Sequence, residues 1–242
     1  MAQERQFNQG EKPVIAVFNK TTVPLGAHSL DELIDAMQVY VDEHIVPRWA
    51  TPATLQKSTD YIKGAWALVF LDNADVAGAL AYHDLTPDGL PLSKVFVKTT
   101  TANGELVSVS ASHELVEMLV DPGINMMSTG PLNSRLVYSY EAADPVEAES
   151  FAVNGIQMSN FVYPSYFEAF RKPGSVKFDE MGLITKPFEI LTGGYQIVYD
   201  GRRWKNIFAS KRKEKRFAKE DRRGHRSEMR KMRWPTRRGG QR

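Results

Sequence analysis

Three residues near the middle of the chain, His113, Glu114 and Glu117 in the segment His-Glu-Leu-Val-Glu, suit metal-dependent hydrolysis. His113 and Glu117 are four positions apart, so both side chains lie on one face of a helix. An imidazole nitrogen and a carboxylate oxygen so placed can reach one Zn²⁺ ion at about 2.0–2.2 Å. Glu114 stands where a base that activates a water at the metal is expected, as in the H-E-x-x-H helix with the second histidine replaced by glutamate. The segment therefore predicts a zinc-dependent hydrolase helix.

The remaining site residues must come from other parts of the chain, because a catalytic zinc ion usually has three protein ligands. Glu141 and Asp144 are both candidates for the third ligand, since the roughly 25 residues that separate them from the helix allow the chain to fold back. His83 is a candidate catalytic residue that could stabilise an oxyanion or bind substrate. The alternative is a structural histidine at the end of a strand whose imidazole forms a hydrogen bond with a turn carbonyl, and both interpretations stay open.

The charge pattern around the helix favours a bound cation over a solvated helix face. The neighbours of His113 are mostly small or apolar, and no lysine or arginine lies between Lys98 and Arg135. Two carboxylates on a buried helix are costly unless a positive group compensates them. The alternative is a helix with two solvated glutamates and one hydrogen-bonded histidine.

The elements that must position these residues are predicted from hydrophobic spacing. A central helix is expected over 106–120, and an amphipathic helix begins at the capping box Ser29/Glu32 and is expected to stop at Pro47. Helices and extended segments alternate, which predicts an α+β domain. The expected strands are 13–18, 66–71, 76–82, 94–98, 136–140, 151–153 and 156–163, with a turn at 154–155 and a last hairpin over 187–199 around Gly193 and Gly194.

Composition divides the chain into an acidic body and a basic tail. Fifteen of the 31 basic residues but four of the 29 acidic residues lie in 211–242, so this tail carries a net charge of +11 and the remainder −9. We expect a flexible arm over 1–12, a catalytic domain over 13–208 and a basic tail over 209–242. The absence of cysteine excludes disulfides and thiolate metal sites. The absence of a long apolar stretch or leader predicts no membrane span and a location in the cytoplasm or within a phage particle.

The tail predicts contact with a polyanion. Its charge suits nucleic acid, through salt-sensitive phosphate contacts, or an acidic protein surface such as that of a neighbouring copy in a homo-oligomer or virion. The alternative is a disordered, solubilising end without a specific partner.

Several segments in the same order also resemble a group of bacterial and bacteriophage proteins that carry a zincin-like H-E-x-x-E helix. The resemblance covers roughly residues 40 to 200 and rests on 47–49, 82–91, 95–97, 112–122, 140–147, 159–164 and 193–195. It implies a metallopeptidase-like fold with a mixed sheet packed on the central helix, His113 and Glu117 as zinc ligands, Glu114 as the base and an acidic residue of 141–144 as the third ligand. We therefore expect a zinc-dependent metallopeptidase-like hydrolase acting on a peptide or protein. The alternative is a structural, virion-associated protein with an inactive or metal-stabilised scaffold.

Overall fold

The computed structural model describes residues 12–75, 79–131 and 134–210, which fold into an α+β structure. The predicted arm and basic tail lie almost entirely outside these ranges. The strands are β1 Val14–Asn19, β2 Thr54–Lys57, β3 Trp66–Leu71, β4 Ala81–Leu85, β5 Pro91–Phe96, β6 Met127–Thr129, β7 Val137–Ser139, β8 Ser150–Val153, β9 Ile156–Ser159, β10 Tyr195–Tyr199 and β11 Trp204–Phe208. The α-helices are α1 Leu30–Val39, α2 Val46–Trp49, α3 Val97–Ala102 and α4 Val107–Val120, with a π-helical segment at Tyr40–Ile45 and 3₁₀ turns at Asp144–Val146 and Pro164–Phe167.

A mixed five-stranded sheet forms one side of the fold. Its order is β2-β1-β3-β5-β4, and its strands are parallel except for β4, which runs antiparallel to β5 at the edge. The register of this edge pair sets His83 opposite Ser93. The Ser93 hydroxyl donates to the backbone oxygen of Glu114 at 3.3 Å, which joins the sheet to α4.

The central helix α4 is buried on nearly all sides, because it lies between β4 and β5 on one side and β9 on another. It begins one residue after the predicted start and ends as predicted before Asp121-Pro122. Ser112 ties it to β9, since its hydroxyl accepts from the backbone N–H of Ser159 at 2.8 Å. The Asp121 carboxylate accepts from the backbone N–H groups of Asn125 and Met126 and fixes the turn that follows. The helix is therefore anchored in its middle and at its C-terminal end.

The N-terminal helical region contains the predicted capping box but does not stop at Pro47. Ser29 and Glu32 cap each other's backbone N–H groups at the start of α1. The helix then widens into the π-helical segment and continues through α2, so the predicted stop was wrong. Pro47 lies in the first turn of α2, where its missing N–H is tolerated. The chain leaves the helix at Ala50, which has a left-handed φ of 54°.

Other differences concern strand bounds. The strand predicted over 76–82 begins only at Ala81, and residues 76–78 lie outside the described ranges. The strand predicted over 94–98 ends at Phe96, where α3 begins, and β2 was not predicted. The last hairpin is formed by β10 and β11 rather than by 187–199, so Gly193 and Gly194 precede it. The turn at Asn154-Gly155 between β8 and β9 is confirmed, with φ angles of 50° and 78°.

One apolar core includes buried side chains from Ile15 in β1 to Val198 in β10. Within the described ranges α4, with 14 residues, is the longest uninterrupted α-helix. No helix there has the length and apolar composition to cross a bilayer.

Candidate metal centre

Six side chains converge where α4 meets the edge strand β4 and the segment after β7; we call them the acidic cluster. The edge strand contributes one histidine, α4 contributes one histidine and two glutamates, and the segment after β7 contributes two acids. All six are buried, and His113, at 9% exposure, retains the largest accessible fraction, so solvent reaches the cluster on its side. The members are His83, His113, Glu114, Glu117, Glu141 and Asp144.

One half of the cluster matches the donor arrangement of a tetrahedral metal site. His113 Nε2 lies 3.5 Å from Glu117 Oε1 and 3.3 Å from Asp144 Oδ1. Two donors that each bind a tetrahedral ion at about 2.1 Å lie about 3.4 Å apart. The donor atoms of these three residues all lie within 4.8 Å of one another. Imidazole and carboxylate are ligands that zinc accepts, so this donor set fits the ion predicted from the sequence.

The other half of the cluster surrounds His83. Its Nδ1 lies 3.1 Å from Glu114 Oε2 and 3.4 Å from Glu117 Oε2, and its Nε2 lies 3.7 Å from Glu141 Oε2. His83, Glu114 and Glu117 form a second group of donor atoms within 4.8 Å. Glu117 therefore takes part in both groups, one carboxylate oxygen in each.

Backbone and hydroxyl donors hold the carboxylates in place. Glu117 Oε1 accepts from the backbone N–H groups of Ala143 and Asp144, each at 3.3 Å. These two bonds join α4 to the 3₁₀ turn that carries Asp144. The Ser139 hydroxyl donates to Glu141 Oε1 at 3.1 Å. These hydrogen bonds within the protein position the carboxylates without a bound ion.

Gly194 supports the same 3₁₀ turn from the other side. A Cβ atom at this position would lie 2.2 Å from the backbone oxygen of Pro145, so a side chain would displace the turn next to Asp144. The backbone N–H of Leu191 donates to the same oxygen at 3.0 Å. The Gly-Gly pair that suggested a hairpin instead allows a close approach of two backbones.

The cluster has an excess of negative charge. Burial lowers the pKa of His113, but the charge of Glu117, the contact with Asp144 and the charge of Glu114 outweigh burial and raise that pKa well above its ordinary value. Four acidic side chains face two imidazoles, so the formal charge of the six groups is negative even when both histidines are counted as cations. A buried site of this kind attracts a cation.

Comparison with known proteins finds no relative. No family model matches the chain, no curated protein is similar to it, and no solved structure matches it. Any functional conclusion therefore depends on the geometry of the acidic cluster.

The structure brings together every site residue named from the sequence, in two groups of donor atoms. Asp144, rather than Glu141, shares a donor group with His113 and Glu117. Glu141 instead lies beside His83, and the His83 imidazole lies between carboxylates. Sequence reasoning missed the anchoring role of Ser139 and of the amides of Ala143 and Asp144. The position of Ser139 two residues before Glu141 was an available signal, whereas the amide contacts depend on the tertiary fold.

Proposed function

We propose that the chain is a zinc-dependent hydrolase of the zincin-like type, with peptide bonds as its substrate class. The observation that carries the proposal is the buried group of donor atoms from His113, Glu117 and Asp144, whose separations suit one tetrahedral ion. The mixed sheet packed on α4 agrees with the fold that the sequence resemblance implies. The net negative charge of the acidic cluster supports a cation as its natural occupant.

The residues around the proposed ion have separate roles. A bound zinc ion lowers the pKa of a water and polarises a carbonyl oxygen. Glu114 directly follows His113 on α4 and would act as the general base for a water at such an ion. His83 Nδ1, 3.1 Å from Glu114 Oε2, orients this carboxylate. His113 retains the largest accessible fraction of the proposed ligands, so we expect the substrate to approach on its side.

A Glu114→Gln variant tests the proposal. The purified protein is equilibrated with zinc, its metal content is measured, and hydrolysis of a mixed peptide library is followed by mass spectrometry. We expect the variant to retain the ion held by His113, while the rate falls by a factor on the order of 10²–10⁴ because the general base is lost. Glu43→Gln, in the π-helical segment, is the matched control and retains both zinc and activity. A folded wild-type protein that takes up no zinc, or a Glu114→Gln variant of unchanged activity, contradicts the proposal.

The charge of residues 211–242 supports a second candidate function. A net charge of +11 in this segment suits a structural role in which the tail binds nucleic acid or neighbouring subunits and the domain is a scaffold. Deletion of 211–242 separates the two functions. The structural candidate predicts loss of salt-sensitive nucleic-acid binding or of assembly, and hydrolysis survives the deletion if the domain is catalytic. Nucleic-acid binding and assembly that are unchanged by the deletion contradict the second candidate.

A further inference from the structure

We propose that the acidic cluster binds a second divalent cation through His83, Glu114 and Glu117, so that Glu117 bridges two ions. The inference deepens the proposed function, because it takes the ion at His113, Glu117 and Asp144 as the first of the pair. The second group consists of a histidine and two glutamates, each at most 4% exposed. His83 lies on β4, and the two glutamates lie on α4. The strand β5, which pairs with β4, is joined to α4 by the hydrogen bond from Ser93.

The donor separations of the second group match those of the first. His83 Nδ1 lies 3.1 and 3.4 Å from one oxygen each of Glu114 and Glu117. The second value equals the separation expected around a shared tetrahedral ion, about 3.4 Å, and the first is slightly shorter. Both exceed the usual 2.7–2.9 Å of a charge-assisted hydrogen bond. A group with the same chemistry and the same spacing as the first has the same capacity to bind an ion.

The orientation of Glu117 is that of a bridging ligand. Its Oε1 faces His113, whereas its Oε2 faces His83. Glu117 is fully buried, and its Oε1 is held by the amides of Ala143 and Asp144, so the carboxylate is fixed with one oxygen toward each group. Pairs of ions in hydrolytic two-metal sites lie about 3.5–4 Å apart, which a single carboxylate can span.

Charge balance also favours two ions over one. A histidine that binds a metal ion is neutral. One divalent ion offsets the formal charge of two of the four carboxylates. Two divalent ions and two neutral imidazoles balance the four carboxylates completely. Imidazole with carboxylate suits zinc and similar first-row ions, so zinc is the ion to test.

Occupancy of the second site changes the role of Glu114. With one ion bound, this carboxylate is available to accept a proton; with two, it is a ligand. We therefore expect hydrolysis to be fastest at one ion per chain and to fall as the second site fills. Where hydrolysis is not detected, the number and order of bound ions remain measurable.

The experiment counts zinc in wild-type protein and three variants by equilibrium dialysis over a range of free zinc, followed by elemental analysis. The account predicts two ions for the wild type, one for His83→Ala, and a loss of at least tenfold in affinity at both steps for Glu117→Gln. His44→Ala is the matched control, because His44 also contacts a carboxylate, that of Glu180 at 2.9 Å, outside the acidic cluster. It is expected to bind two ions. His83→Gln replaces His83→Ala if circular dichroism shows that the latter is unfolded.

Each result bears on one proposal or on both. One ion in the wild type, or two ions in a folded His83 variant, overturns the second site and leaves the hydrolase proposal intact. Two bound ions at high zinc, with no turnover at any zinc occupancy including one ion per chain, support the second site and contradict the hydrolase. Zinc-free, folded wild-type protein overturns both. A Glu117→Gln variant that loses one ion and binds the other normally overturns the bridge.

Discussion

Two clusters of histidine and carboxylate side chains in this molecule differ in the positive groups that face their carboxylates. In the first, which we call the Glu180 cluster, one carboxylate is contacted by His44 Nδ1 at 2.9 Å, by Arg48 Nε at 3.9 Å and by the hydroxyl of Tyr163. The chain itself supplies the positive charge there. In the acidic cluster, four carboxylates face two imidazoles in a more deeply buried place.

The difference indicates which cluster is structural and which is a binding site. A carboxylate that is matched by an arginine and by hydrogen-bond donors is complete within the fold. A buried group in which acids outnumber imidazoles is stabilised by a cation from solution. The nearby basic side chains Lys94 and Lys98 form ion pairs with Asp75 and Asp72. The acidic cluster should therefore respond to metal, and the Glu180 cluster should not.

Removal of metal should have the largest effect on stability. Zinc at about 100 times its Kd stabilises the folded state by about 2.7 kcal/mol, which corresponds to a rise in Tm of about 5–10 °C for a protein of this size. Thermal unfolding with zinc and with a chelator measures the difference. In Glu117→Gln it should fall by half or more, whereas in Glu180→Gln it should persist on a lower baseline. Equal Tm values for zinc-loaded and chelated wild-type protein would contradict the claim that the acidic cluster binds zinc.

Substitution of the two acids after β7 distinguishes the third ligand. Asp144→Asn should weaken the tighter zinc-binding step by more than about a hundredfold, because loss of a ligand exceeds the usual cost of changing an outer-shell partner, about 10–100-fold. Glu141→Gln should weaken it by about tenfold or less, since Glu141 lies beside His83. Competition with a coloured zinc chelator measures both. The reverse order would make Glu141 the ligand.

Gly194→Ala should destabilise the turn that carries Asp144. The new Cβ atom would lie 2.2 Å from the backbone oxygen of Pro145, which forces two segments apart at a cost of about 1–3 kcal/mol. Urea unfolding and zinc competition should both show a loss. Gly155→Ala, which strains the β8–β9 turn at a φ of 78°, is the control and should reduce stability with zinc affinity unchanged. Unchanged zinc affinity in Gly194→Ala would contradict the claim that this turn positions a zinc ligand.

The Glu180 cluster should affect the stability of the protein at high pH, and metal should not change its contribution. Burial and the neighbouring Glu180 raise the pKa of Tyr163 to about 12, against the opposing effect of Arg48. The stability that this tyrosine contributes is complete below its ordinary pKa of about 10 and is lost as the pH rises through about 12.

Tyr163→Phe should therefore flatten the fall in unfolding free energy between pH 10 and 12, by about 1 kcal/mol because the group is partly exposed. Urea titrations at several pH values measure the slope, and zinc content should not change. A pH dependence of the unfolding free energy identical to that of the wild type would show that Tyr163 does not contribute to the loss of stability at high pH.

Local features of the fold were predictable from the sequence, and contacts distant in the chain were not. The capping box at Ser29 and the bounds of α4 depend on residues within a few positions of one another, so spacing was sufficient. The continuation through Pro47 requires a π-helical segment, which side-chain periodicity does not indicate. Gly193 and Gly194 locally indicate a hairpin turn, whereas the contacts of Gly193 with Ala148 and of Gly194 with Pro145 depend on a segment more than 40 residues away.

The candidate site shows the same limit. The spacing of His113 and Glu117 on one helix predicts their proximity, and both later acids were named as possible partners. The pairing of β4 with β5 decides where His83 lies, and the 3₁₀ turn decides between Glu141 and Asp144. Neither is encoded in a local pattern, so the second donor group emerged only from the folded structure.

The most direct test of the central claim is anomalous diffraction from crystals of the zinc-equilibrated protein, recorded above and below the zinc absorption edge. The account predicts a strong peak about 2.0–2.2 Å from His113 Nε2, Glu117 Oε1 and Asp144 Oδ1. A well-defined acidic cluster without a zinc peak, its carboxylates neutralised by protons or by side chains of the protein, would contradict it.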